Sequence, residues 1–269
     1  MLTTLKNRFT VYWTVWATIA QYALAETLLN RWTTMLFLLG KTLRFGMLLF
    51  FLFFIKNSVQ SFSGYSTDQI VVFFLTYQFV DTLSQLLYRG VYEFSWKVRS
   101  GELDFYLSKP MSPLFRILTG KPDFIDVIFF IPTTALSIFL LRDVLLSATP
   151  AALASYGLLL INGLLIATGF HILILALGVV MVQVDNVVML YRDINTMSRF
   201  PVSIYGEPLR TILLFAVPVG LMNTLPAQAL LSTPLSVAIW LACLVGVVFF
   251  LLSLKAWGWA MKQYTGAGG

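Results

Sequence analysis

Long apolar runs separated by short polar stretches make up most of this chain. A helix needs about 20 mostly apolar residues to cross a bilayer. Five runs meet that need, at about 35–55, 69–89, 122–141, 153–181 and 235–257. The third is short for a span, so it starts early or lies tilted. Between the fourth and fifth runs the pattern breaks. Val182 to Phe200 carries Asp185, Asn186, Arg192, Asp193, Asn195 and Arg199. Pro201, Pro208, Pro218, Pro226 and Pro234 follow, half of the ten prolines in the chain. Proline removes a helix hydrogen bond and kinks or ends the helix, so this part predicts short broken pieces rather than one regular span.

Composition turns the pattern into a class. Of 269 residues, 58% are hydrophobic and 11% charged, with a mean hydropathy of +0.83. Soluble domains carry about 25% charged residues. So much apolar surface exceeds what one core can hide, and a bilayer must cover the rest. An all-α polytopic membrane protein follows, and disordered, disulfide-scaffold and cytosolic-enzyme classes are excluded. A single cysteine, Cys243, forms no internal disulfide, and a single histidine, His171, builds no His-rich metal site. The net charge of +6 points to topology, not nucleic acid. Lys6, Arg8, Arg31, Lys41 and Arg44, the loop residues Arg89, Lys97, Arg99, Lys109, Arg116 and Lys121, and Lys255 and Lys262 are 13 of the 18 Lys and Arg. All lie on one side if both termini do. The positive-inside rule makes that side cytoplasmic. An even number of crossings is then required, which gives six transmembrane helices with one hidden in 182–234.

Residues 1–34 read as an N-terminal amphipathic helix at the cytoplasmic interface. Thr10, Thr14, Thr18 and Gln21 form a polar stripe, and Tyr12, Trp13, Trp16 and Ile19 fill much of the rest. An extra span and a signal peptide ending at Ala23-Leu24-Ala25 are the competing readings. Gly40-Lys41-Thr42 echoes a phosphate-binding loop, but Met35 stands where its first glycine belongs. Residues 35–260 form the membrane domain, and 261–269 a flexible tail.

The sizeable polar loop is 90–121. Gly101 suits a turn, and Glu102 and Asp104 follow it. Leu103, Tyr106 and Leu107 give an apolar side at helical spacing before Pro110 and Pro113 end the helix. A short amphipathic helix of this kind suits docking of a soluble partner, and equally a solvated connection.

The stretch Val98-Arg99-Ser100-Gly101-Glu102-Leu103-Asp104-Phe105-Tyr106-Leu107-Ser108-Lys109-Pro110 resembles the G-x-L-D-x-x-L-x-[KR]-P signature of membrane subunits of ATP-binding-cassette (ABC) exporters of the type-two permease family, ABC-2. A second stretch, Arg199 to Gly220 followed by Leu225-Pro226-Ala227, is similar to that family's P-x-x-I-Y-x-x-x-L-R … P-V … P-A segment. Gly64-Tyr65-Ser66 before the second span agrees. The resemblance runs from about residue 30 to 257. It implies a six-span permease of a bacterial inner membrane, paired with a second permease, the same or homologous, and with ATPase subunits. ATP and Mg would sit on the ATPase, with no cofactor bound by this chain. Arg99, Gly101, Glu102, Leu103, Asp104, Leu107, Lys109 and Pro110 would belong to the coupling segment.

Residues 182–234 admit two assignments. By hydropathy alone, 182–200 is a loop and 209–231 the span. The resemblance implies a polar span at 184–204 and a re-entrant segment at 207–231, with Pro201 leading into it near the end of the span and Pro208, Pro218 and Pro226 within it. Arg192 and Asp193 would then lie deep, at about 2.5–3.5 kcal/mol each on insertion scales, tolerable only with protein partners. Asp185, Arg192, Thr196 and Arg199 share one helical face, and Asp193 points off it. In the second span Gln78, Asp81 and Gln85 form a polar stripe that turns from lipid toward a wet cavity or toward interhelical hydrogen bonds. The resemblance implies that these two spans line the transport route. His171 shares a face with the small residues Gly163 and Ala167, which suits close helix packing or, alternatively, a proton relay.

Three functions compete. A passive transport subunit driven by an ATPase fits the loop and the resemblance. An ion-coupled secondary transporter would use Asp81, Asp185, Asp193 and His171, although no inverted repeat is visible. A membrane-embedded enzyme lacks a nucleophile–base pair or carboxylate dyad in the sequence. Substrate identity is not encoded in any motif.

Overall fold

The computed structural model describes residues 2–58, 61–62, 64–181, 185–231 and 236–266. Val184, Pro234 and Leu235 of the expected spans and breaks lie outside these, as do the last three residues of the expected tail. The described chain is built of α-helices, with short 3-10 and π-helical pieces and a single two-stranded ladder.

Two long helices, α1 (Leu2–Leu29) and α2 (Arg31–Ser58), meet at Asn30. The antiparallel ladder of β1 (Ser61–Phe62) and β2 (Tyr65–Ser66) then turns the chain into α3 (Thr67–Leu87). Ser66 begins that helix with a capping box. Its hydroxyl accepts from the Gln69 amide at 3.3 Å, and Gln69 Oε1 accepts from the Ser66 amide at 2.9 Å. Next come a 3-10 turn (Arg89–Glu93), α4 (Phe94–Arg99), α5 (Glu102–Leu107) and α6 (Pro113–Thr119). Asp123 caps α7 (Phe124–Leu140) by accepting from the amides of Ile125 and Asp126. After α8 (Arg142–Ser147), α9 (Pro150–Met181) runs 32 residues, about 48 Å at the helical rise and longer than the hydrocarbon thickness.

The polar stretch forms α10 (Asp185–Met197), shorter than the 184–204 helix expected. Pro201 explains the stop, because it has no amide to give the Met197 carbonyl. The Tyr205 hydroxyl donates to that carbonyl instead, at 2.8 Å. The proline-rich part is a bent hairpin: α11 (Leu209–Thr211) with a π-helical turn to Ala216, then a second π turn (Gly220–Thr224) into α12 (Leu225–Leu231). Its two arms bend by 77°. The chain closes with α13 (Ser236–Gln263).

Among the described residues, four helices are long and apolar enough to cross a membrane, within Arg31–Phe51, Thr67–Leu87, Pro150–Met181 and Val237–Gln263. Two further bent pairs qualify if each counts as one span: α6 with α7, bent by 68°, and the 209–231 hairpin. The third expected span is therefore α7, whose approach is folded back at Gly120 to Asp123 rather than continued straight.

Contacts fix the directions of the helices. Thr76 in the middle of α3 bonds Tyr156 near the start of α9, and Tyr88, just past the end of α3, bonds Thr168 farther along α9, so these two run parallel. Asn162 donates to the Ala242 carbonyl at 3.0 Å, and Gly169 faces Phe249 seven residues on, so α13 runs the same way. One end of the molecule collects the 89–119 helices, the start of α7, the start of α10 and the end of α13, through Arg89–Asp123, Arg99–Asp185 and Phe94–Trp257. The opposite end collects Tyr65 with Ser203 and the hairpin's Leu230 with Leu141. Segment 185–205 thus runs beside α3 from one end to the other.

Candidate functional site

At the loop end the sequence forces a sharp turn. Gly101 adopts φ +74°, in the left-handed region, and separates α4 from α5. Gly90 lies so close to the Ile117 carbonyl and the Gly120 backbone that a Cβ would overlap them. This pair clamps α6 onto the 3-10 turn that ends α3. Inside the cluster, Leu103 is fully buried and Tyr106 nearly so. The Tyr106 hydroxyl donates to Glu102 Oε1 at 2.6 Å, and the Arg116 and Lys97 charges face its ring. Burial, with this bond, raises the Tyr106 phenol to about 12. The C-terminal segment passes the Asp104 carboxylate at Gly266, and burial likewise raises the Tyr264 phenol to about 12.

The expected apolar side of the loop therefore splits. Leu103 and Tyr106 point inward to hold the cluster together, and Leu107 points out. Arg99 reaches Asp185 at 4.0 Å, while Lys109 sits 4.1 Å from the Phe105 ring, next to the exposed Pro110. Trp96 and Phe105, 59% and 56% exposed, are the most exposed of the large apolar groups that the described loop helices offer outward. Neither stood out in the sequence, where they read only as aromatics in a polar loop.

Behind the cluster lies an ion-pair node. Lys41 of α2 meets Asp126 and, at 3.9 Å, Asp123; Arg89 meets Asp123 at 3.1 Å. Lys41 is thus committed to a carboxylate within a continuous helix, which disposes of the phosphate-loop echo. Helix α1 docks alongside: the Ser112 amide donates to the Tyr12 hydroxyl at 2.8 Å, and Lys121 pairs with Glu26 at 3.0 Å.

Deeper in, the polar residues of α3 part company. Asp81 is buried and accepts from Asn195 at 2.9 Å and from Gln85 at 2.7 Å. Asn195 in turn accepts from Asn223 of the hairpin at 3.0 Å, and Asn223 also donates to Ser198 at 2.6 Å. The network joins α3, α10 and the hairpin at one level. Asn223 was not singled out in the sequence, because an isolated Asn among prolines reads as turn chemistry.

Gln78 and Gln85 face a cavity of about 590 Å³ between α2, α3 and α7. Arg44, Lys41, Thr82, Asp126 and Arg199 also reach it, among Phe45, Phe51, Phe74 and Phe129. Arg199 lies over the Tyr77 ring at 5.3 Å. Arg192 points elsewhere, to the Tyr92 ring at 5.9 Å, and Asp193 is exposed. His171 is buried between the rings of Tyr88 and Tyr191, with Nδ1 2.7 Å from the Ala167 carbonyl. The groups an ion-coupled carrier would use are therefore scattered. Asp81 is bonded in the core, Asp185 sits at the loop end, and His171 is held by rings. Gly163, on the His171 face, receives the backbone of Met222 from the hairpin. Pro208 and Pro218 flank the descending arm, and Pro226 lies in the first turn of α12.

A family model described as ABC-2 family transporter protein matches residues 42–268. No curated protein and no solved structure matches the chain.

Proposed function

Because the chain belongs to the ABC-2 family of transporter membrane proteins, we propose that it is the permease of an ATP-driven exporter, moved by separate ATP-binding subunits that grip α4 and α5. One observation supports this above the others. The cluster that presents Trp96 and Phe105 is clamped to the end of α3 through Gly90 and packs the Phe94 ring, tilted, against Trp257 of α13. Force applied there reaches at least two membrane helices at once. Arg99, Glu102, Asp104, Leu107, Lys109 and Pro110 rim the docking face, while Gly101 and Leu103 shape it. ATP and Mg belong to the partner.

The reading takes six crossings, with 185–205 as the polar fifth and the hairpin as a re-entrant element before the last. Its support is the run of that segment from Arg99 at one end to Tyr65 at the other. Both termini and the docking face are then cytoplasmic, and α1 lies along the inner surface of a bacterial membrane. A second permease covers the side of α10 that carries Asn186, Met189, Leu190 and Asp193, exposed at helical spacing. A bare Asp193 facing lipid would be costly. Closure of the ATPase pair would shift the permease pair between two packings, provided the motor binds them with different affinity.

Trp96→Ala with Phe105→Ala tests the docking face. The variant should fold and insert as before but lose co-purification with its ATPase and lose ATP-dependent transport. Unchanged recovery of the ATPase would defeat the reading.

A further inference from the structure

The cavity between α2, α3 and α7 carries a charge that its own walls do not balance. Lys41 is neutralised by Asp126. Arg44 and Arg199 also line it, and among the described residues neither forms an ion pair. Asp81, behind the wall, is bonded to Asn195 and Gln85 and pairs with neither arginine among the described residues. The Arg199 Nε is buried with no hydrogen-bond partner. Unbalanced cations at membrane depth are costly, and a bound anion is the direct relief.

The remaining wall is apolar and aromatic. Phe45, Leu48, Phe51, Phe74 and Phe129 surround a space of about 590 Å³, within the range of ordinary ligand sites. Gln78, Thr82 and Gln85 run along one side as neutral hydrogen-bond donors and acceptors. Guanidinium groups suit phosphate, sulfonate or carboxylate, because their forked donors match paired oxygens. The other side is α2, whose Leu43 and Met47 are exposed, so a long tail can enter laterally.

We propose that this cavity binds an amphiphile with a single anionic headgroup, the head between Arg44 and Arg199 and the tail among the phenylalanines. This deepens the permease reading by naming the cargo class, and it rests on that reading only for the cavity's place on a transport route. An anionic bilayer lipid and an exported anionic surfactant share the chemistry.

The test uses the full chain in phosphatidylcholine nanodiscs. Hexadecyl phosphate carrying a tail diazirine is compared with the same tail bearing trimethylammonium. The phosphate should photolabel segments 43–51 and 129–133, and the ammonium probe should not. Arg44→Gln with Arg199→Gln should cut that labelling about tenfold or more, the loss expected for charge-assisted hydrogen bonds. Arg44→Lys with Arg199→Lys should keep most of it, and Arg142→Gln, on α8, all of it. A thermal melt of each variant separates lost binding from lost folding. Equal labelling by both heads, labelling elsewhere, or full labelling of the double Gln variant would overturn the proposal. Competition by phosphatidylglycerol assigns the site to a bilayer lipid, and competition by decyl phosphate alone to a soluble cargo. Because binding is read without the ATPase, this proposal can fail while the motor-coupled reading stands, and the reverse.

Discussion

Asp81 shows how one side chain can decide what a stripe does. Gln78, Asp81 and Gln85 were legible as a polar row on an apolar helix, but spacing could not say which of them met a cavity. Gln78 and Gln85 do, while Asp81 turns to Asn195 and ties α10 to α3. Its partner lies 114 positions away, beyond any local pattern. Asp81→Leu should therefore destabilise the protein by about 1–3 kcal/mol, by leaving Asn195 and Gln85 without their acceptor. The midpoint of thermal unfolding in detergent reads this. Asp81→Leu with Asn195→Leu should cost less than the sum of the two single changes, since neither partner is then stranded. Tyr106 sets a pH limit on the loop cluster. Its phenol is raised by burial and the Glu102 bond to about 12, so the native state holds the proton more tightly than the unfolded chain. Its stabilising contribution is whole below the ordinary tyrosine range near 10 and lost as pH rises toward about 12. Titration of tyrosinate absorbance should show a late group that moves earlier in Tyr106-retaining Glu102→Gln.

Among the elements, the broken region was the most legible and the approach to α7 the least. Prolines at 201, 208, 218 and 226 announce interruptions, and the structure has them at the end of α10 and around the bent hairpin. The fold at Gly120 to Asp123 depends instead on backbone meeting backbone, Gly90 against Ile117, which leaves no periodic trace in the sequence. The same is true of the loop helices. Leu103, Tyr106 and Leu107 share a helical side on paper, yet packing against α4 and α6 draws the first two in and leaves Leu107 out. Gly90→Val should force the 3-10 turn and α6 apart. We expect a loss of about 1–3 kcal/mol in stability, the range for overpacking. ATPase recovery should fall with it, although no exposed group has changed. Pull-down and thermal unfolding of the same preparation check both.

For the whole molecule, the proposed orientation rests on charge and hydropathy, and the helix directions are what the six-crossing reading has to satisfy. α3, α9 and α13 run one way, and segment 185–205 returns beside α3. With Cys243→Ser as background, Ser108→Cys should react with an impermeant thiol reagent from the cytoplasmic side and Glu207→Cys from the outside. The reverse pattern, or both on one face, would contradict six crossings. The course of the C-terminal segment past Asp104 has a practical corollary. Any affinity handle or fluorescent reporter grafted after Gly266 would emerge beside α5 and crowd the proposed landing place of the motor. Preparations tagged there should look motorless even when the native complex is intact, whereas a handle in the 206–207 turn should leave it whole.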